Sequence, residues 1–271
     1  LGPSVVTIGK FDGVHVGHQA VIDETVRSAK DIAGISVVIT LWPHPALVLT
    51  PTVETLLLTT LEDRIDLIEF RSPSYVRLEN FDKAFAGRQA DDYLASLRDE
   101  LAMETLVVGN DARLGHNRHA GITELDLITR RLGLEMKVVR TVSRPAPAAS
   151  GTLKQVYAAG DVDTATDLLG RLPSYKGVVG RGDGRGQELG FPTANIMLEA
   201  GLALPAFGVY KGSAIVRNRL GYGRLPAVIS LGTRPTFFER GELVLEVHIL
   251  DFEQDLYGCE MRVFFEDLIR L

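Results

Sequence analysis

One cysteine, Cys259, in 271 residues leaves no partner for an internal disulfide and no set for a multi-cysteine zinc site, and such sparing use fits a reducing compartment. No apolar run approaches the roughly 20 residues that cross a bilayer as a helix, and no signal-peptide pattern opens the chain. These absences lead us to expect a cytoplasmic protein with no membrane partner. No long basic block is present and the formal net charge is −6, so nucleic acid is not an expected partner either. No internal repeat relates the two halves. The composition, 45% hydrophobic and 24% charged, is that of a globular chain long enough for one or two domains.

The most informative stretch runs from Val5 to His18. Val5-Val6-Thr7-Ile8 has the composition of a buried parallel strand, and Gly9, Gly13 and Gly17 permit turns and close approaches that a Cβ blocks. Ala20, Val21, Ile22, Val26 and Ala29 then recur at helical spacing. A strand, a glycine turn and a helix start together form a phosphate cradle, because a helix N-terminus offers free N–H groups and a positive dipole end. His15 and His18, three apart at that entrance, can point at one anion.

Further strands are expected at Ile35 to Leu41, Tyr75 to Glu79, Thr105 to Val108 and Met136 to Val139. Helices are expected at Leu61 to Phe70, behind a Thr59-x-x-Glu62 capping box, at Asp91 to Ala102 and at Ile122 to Leu132. That alternation predicts an α/β domain with a parallel sheet. Ligands bind beyond the carboxyl ends of such strands, which directs attention to the polar loop Gly109 to Gly121, with Asp111, Arg113 and Arg118. After a Pro/Ala/Ser-rich loop and a short helical segment, Asp161 to Gly170, the pattern changes. Strands at Tyr210 to Val216, Ala227 to Leu231 and Glu242 to Leu250 predict an all-β, small antiparallel barrel. The expected domains are 1–170 and 171–271.

Gly177 to Gly190 holds six glycines but lacks the G-K-[ST] ending of a P-loop; its backbone can still form anion-binding nests. In the extended Phe191-Pro192-Thr193-Ala194-Asn195, Thr193 and Asn195 project to one side, and their hydroxyl and amide oxygens suit Mg²⁺. Along Leu243 to Leu250, alternation sets Leu243, Leu245, Val247 and Ile249 on one face, with Glu246 and His248 on the other.

Gly9-x-Phe11-Asp12-Gly13-Val14-His15-x-Gly17-His18, G-x-x-x-G-x-x-L-G-F-P-T-A-N from Gly182 to Asn195, and E-x-H-x-L-D-F from Glu246 with Leu256-Tyr257-Gly258 together resemble the bifunctional bacterial riboflavin kinase/FMN adenylyltransferase (FAD synthetase) family. The resemblance covers almost the whole chain. It implies a Rossmann-like nucleotidyltransferase domain followed by a riboflavin kinase barrel, with ATP, riboflavin, FMN and FAD as partners and Mg²⁺ accompanying ATP. Glu246 is then the general base of the kinase, and His15 and His18 are the catalytic pair of the adenylyltransferase. Nucleotide binding falls to Gly9, Phe11, Asp12, Gly13, Gly17 and Arg118, then to Ser150, Thr152 and Lys154, and in the second domain to Gly182, Gly184, Arg185 and Gly190. Asp111, Arg113, Phe191 and Tyr257 would meet flavin, and Thr193 and Asn195 the metal. The sequence departs from the family pattern in three places. Ala112 and Leu114 stand where it has aromatic residues. Ala149 to Gln155 stands for S-S-T-x-x-R, with Lys154 or Gln155 in the arginine's place. Gln187 replaces a frequent arginine. Two other readings therefore stay open: a riboflavin kinase with an impaired adenylyltransferase half, and a non-catalytic flavin-binding regulator.

Overall fold

A computed structural model describes residues 2–140, 149–180, 193–217, 223–234, 242–252 and 254–271. The chain divides into two compact units, the first before residue 141 and the second running from Ser150 to Leu271.

In the first unit, β1 (Ser4–Gly9), β2 (Ile35–Trp42), β3 (Tyr75–Asn80), β4 (Met103–Gly109) and β5 (Glu135–Val139) form one sheet in the order β3-β2-β1-β4-β5. Every pairing is parallel. The helices α1 (Val16–Asp31), α3 (Leu61–Glu69), α5 (Ala90–Leu101) and α6 (Ile122–Arg131) lie where the periodicity predicts them, and short helices form at α2 (Pro45–Leu49) and α4 (Lys83–Ala86). The sheet is apolar on both sides, as covered parallel strands require. Val6, Ile39 and Leu106 join Leu94, Leu97 and Leu125 in one core cluster, while Val38 meets Ile22 and Ile68 in another. Successive strands run outward from β1 to β3, and the chain then returns to the other side of β1 with β4. The topological switch point therefore lies between the carboxyl ends of β1 and β4, where open α/β sheets bind ligands.

Two local expectations change. Thr60, not Thr59, caps α3: its side chain accepts from the Asp63 N–H at 3.1 Å, and Thr59 Oγ1 instead accepts from Gly13 N. Ser150 to Ala158, to which no element was assigned, forms α7 (Ser150–Ala158), because Leu153 and Tyr157, four apart, both have a core to enter.

The second unit begins with α7 and α8 (Val162–Leu169), which packs on β11 (Glu260–Arg270). The expected boundary near residue 171 falls just after α8. With β6 (Ser174–Gly180), β7 (Ala194–Met197), β8 (Gly208–Val216), β9 (Leu225–Arg234) and β10 (Glu242–Ile249), β11 completes a closed barrel in the order β10-β7-β6-β11-β8-β9. All its pairings are antiparallel. Tyr210, Ile229, Leu245, Val247, Val263 and Phe265 fill its interior. Leu243, near the start of β10, is exposed.

Candidate active sites

The first candidate site is built by the turn that leaves β1. Gly13 has φ +82°, and a Cβ there would come within 2.7 Å of Leu58 Cδ1. A Cβ on Gly9 would lie 3.0 Å from the Phe11 ring, which is 2% exposed and packs with Val14, Ile22, Val38 and Ile68. Asp12 is 1% exposed, and its Oδ1 accepts from the N–H groups of Leu58 and Thr59 at 2.9 and 3.3 Å. Phe11 and Asp12, expected among the nucleotide-binding positions, serve as the foundation of the turn. Their side chains point into the protein and hold the turn against the segment before α3.

On that foundation His15 caps α1, with Nδ1 accepting from the His18 N–H at 3.3 Å. A neutral His15 consequently carries its proton on Nε2. The two imidazoles stack, with centroids 3.7 Å apart and planes inclined by 18°, and the Phe11 ring meets His18 edge-on at 5.2 Å. Burial, then the charges of His15, Lys10 and Arg64, push the His18 pKa well below its ordinary 6.5. The helix entrance therefore offers neutral imidazole to an incoming phosphate at neutral pH, in line with two stacked rings that resist double protonation.

The pKa shift makes a stability prediction. An unfolded His18 binds a proton below about pH 6.5 that the folded one refuses, so stability rises with pH across that range. The melting temperature is expected to climb between pH 5 and pH 7. His18→Phe should flatten the climb, and an unchanged slope in that variant would remove His18 as its source.

Arg64 is not among the residues singled out from the sequence. Its side chain is 0% exposed, with Nη2 3.7 Å from Asp12 Oδ1, Nη1 donating to the Leu41 carbonyl at 3.4 Å and the guanidinium 5.4 Å from the Trp42 ring. Burial lowers its pKa, and Asp12 acts in the opposite direction. This buried cation ties the glycine turn to the carboxyl end of β2. The signal that could have found it is its position in L-E-D-R-I, between residues of the apolar helix face. Arg64→Met would leave the Asp12 charge uncompensated, and urea unfolding of the first unit should register a loss of about 3 kcal/mol.

Beyond β4, Leu114 and Ala120 form a bridge that closes the loop on itself. Asp111, Arg113 and Arg118 are exposed on it, whereas Ala112 and Leu114 pack against the main core. The residues at the two aromatic positions are thus turned inward as small apolar packing. Ser150, Thr152 and Lys154 are partly buried on α7 and fall within the second compact unit.

In the barrel, Gly182, Gly184, Arg185, Gly190 and Phe191 lie outside the described residues. Thr193 immediately precedes β7, and Asn195 is in it. Register then brings two candidates together: Asn195 stands directly opposite Glu246 across β7 and β10. Both are partly buried and belong to the outer face, since their neighbours Ala194, Ile196, Leu245 and Val247 point inward. Tyr257 is exposed in the turn before β11. Among the described residues no three His, Cys, Asp or Glu cluster as metal ligands. A Thr193 hydroxyl and an Asn195 amide oxygen beside one carboxylate nevertheless suit Mg²⁺, which takes few protein oxygens and keeps water and phosphate. Among the described residues no helix is long and apolar enough to cross a membrane.

A family model described as FAD synthetase matches residues 1–152, and one described as riboflavin kinase matches residues 169–271. The bifunctional riboflavin kinase/FMN adenylyltransferase of Bacillus subtilis (strain 168) is 32% identical over 271 residues, spanning 98% of this chain and 84% of that protein. That of Escherichia coli (strain K12) is 32% identical over 269 residues, with the same shares. A crystal structure of a protein described as a macrolide-efflux protein from Streptococcus pneumoniae matches with a TM-score of 0.89 at 28% identity, covering 99% of this chain and 86% of that one. Two halves that each match one family model, and full-length relatives that carry both, place the chain in the bifunctional riboflavin kinase/FMN adenylyltransferase family.

Proposed function

We propose that the barrel transfers the γ-phosphoryl group of ATP to the 5′-hydroxyl of riboflavin, and that the first unit joins the resulting FMN to the AMP portion of a second ATP. In the kinase step Glu246 accepts the hydroxyl proton as that oxygen bonds to the γ-phosphorus and ADP leaves. Mg²⁺, held by Thr193 and Asn195 together with the nucleotide, would neutralise phosphate charge. The residues themselves keep the carboxylate beside the phosphate-binding face, and the observation that carries this assignment is the direct pairing of Asn195 with Glu246.

In the second step an FMN phosphate oxygen bonds to the α-phosphorus of ATP and pyrophosphate departs. No protein nucleophile is needed. Nε2–H of His15 and the neutral ring of His18 offer hydrogen bonds to charge developing on the phosphates, and the N-terminus of α1 adds its positive end. The cradle is preorganised, because Asp12, Arg64 and the Phe11 ring hold it before any ligand arrives. Chromatography of flavins after incubation with ATP and Mg²⁺ tests both halves: supplied riboflavin should give FMN and then FAD, and supplied FMN should give FAD. Failure of FMN to yield FAD would remove the adenylyltransferase assignment.

A further inference from the structure

The motif Gly9-x-Phe11-Asp12 leaves its second position open, and this chain fills it with Lys10. Lys10 is the first residue past the carboxyl end of β1, where the switch point of the sheet lies. Its backbone is fixed on both sides. The Lys10 carbonyl accepts from Thr40 Oγ1 of β2 at 3.3 Å, and the next residue, Phe11, turns away with φ +48° and buries its ring. Lys10 itself is partly buried. Its ammonium lies within electrostatic reach of the α1 entrance, where its charge acts on the His18 ring together with those of His15 and Arg64.

These three groups differ in what they can offer a ligand. Arg64 is fully buried and compensates Asp12. His15 uses Nδ1 to accept from the His18 N–H, which a protonated ring cannot do. Of the three, Lys10 combines a permanent charge with access to solvent. The entrance also carries an unmet polar atom: Nδ1 of His18 is buried and makes no hydrogen bond among the described residues.

We infer that Lys10 binds the polyphosphate of ATP at the α1 entrance and stabilises the pyrophosphate that leaves. As the FMN oxygen bonds to the α-phosphorus, the bond from that phosphorus to the bridging oxygen breaks, and its electron pair passes to pyrophosphate. A neutral imidazole can donate a hydrogen bond to this growing charge but brings no net positive charge; the Lys10 ammonium brings one. In a partly buried site that charge acts through a lower effective dielectric than in water, and its hydrogen bonds to phosphate are charge-assisted. The flexible four-carbon stem lets the ammonium follow the oxygen as it separates. The neutrality of His18 and the affinity for phosphate then share a cause, because a cation that disfavours a second positive charge favours a negative one.

This inference rests on the adenylyltransferase reading of the first unit, and one set of measurements separates the two. Lys10→Met keeps the apolar stem and removes the charge. It should lower kcat/KM for ATP in FAD formation from FMN about tenfold, the scale of one hydrogen bond to a charged group, and Lys10→Arg should keep most of the rate. FMN formation from riboflavin should match the wild type, because it belongs to the other unit. Binding without turnover is read from the imidazole proton signals of His15 and His18 as pyrophosphate and Mg²⁺ are added. Lys10→Met should need about tenfold more pyrophosphate for the same shift. An unchanged kcat/KM, an unchanged pyrophosphate titration, or an equal loss in Lys10→Arg would each overturn the role of Lys10. A wild-type chain that makes no FAD, yet shows the pyrophosphate shifts and loses them in Lys10→Met, would remove the adenylyltransferase reading and leave the phosphate site at Lys10.

Discussion

Glu246→Ala should lower FMN formation from riboflavin by about 10²- to 10⁴-fold, the usual contribution of a positioned general base, while FAD formation from supplied FMN continues at its normal rate. Glu246 lies in the middle of β10, between the buried Leu245 and Val247, so its backbone position is fixed by the barrel core. Its side chain is on the outer face, and alanine there removes a carboxylate without opening a cavity. The loss should appear in kcat with little change in substrate KM, because proton transfer belongs to the transition state. Flavin chromatography with riboflavin and FMN as alternative starting compounds measures both effects on one preparation. Survival of FMN formation would show that another group takes the proton.

His18→Ala should give the opposite split. FAD formation from FMN should fall by about 10²- to 10³-fold, the cost of removing one preorganised donor from developing charge, and FMN formation should be unaffected. The ring does not stand alone: it stacks on His15 at 3.7 Å and meets Phe11 edge-on, so its removal also takes the stacking partner from the His15 ring. His18→Asn, which restores a hydrogen-bond donor but not the stack, should recover part of the rate. A kinase defect in either variant would mean that the two reactions are coupled more closely than two separate sites predict.

Both sites were legible in the sequence to different depths. The alternation of buried strands with amphipathic helices is a local signal, so the elements of the parallel sheet were placed within a few residues of their actual ends. The strand–glycine–histidine pattern located the turn after β1 and the start of α1 for the same reason. What the local signal could not supply was partnership. Thr59 and Thr60 are chemically identical candidates for the α3 cap, and only the approach of Gly13 from 46 positions away decides that Thr60 takes it. Arg64 reads as a solvated helix charge until Asp12, distant in sequence, is placed beside it. Phe11 and Asp12 show the converse. Their motif was recognised, but a motif does not reveal which of its side chains turn inward.

The barrel follows the same division. The period-2 alternation of β10 put Glu246 and His248 on one face and most of the apolar residues on the other. Ser230 carried no signal of its own, because a serine between Ile229 and Leu231 is ordinary on a solvent-facing strand side. Its place opposite Glu246 exists only once the register of β9 on β10 is known. Helix α7 was missed because Ser150, Gly151 and Thr152 are weak helix formers; burial of Leu153 and Tyr157 outweighs that preference.

The most direct test of the account follows riboflavin, FMN and FAD together in one reaction containing the chain, riboflavin, ATP and Mg²⁺. The account predicts that FMN rises first and is then drawn into FAD, with one ADP and one pyrophosphate formed for each FAD. Riboflavin that binds but stays unphosphorylated while ATP is not consumed would contradict it.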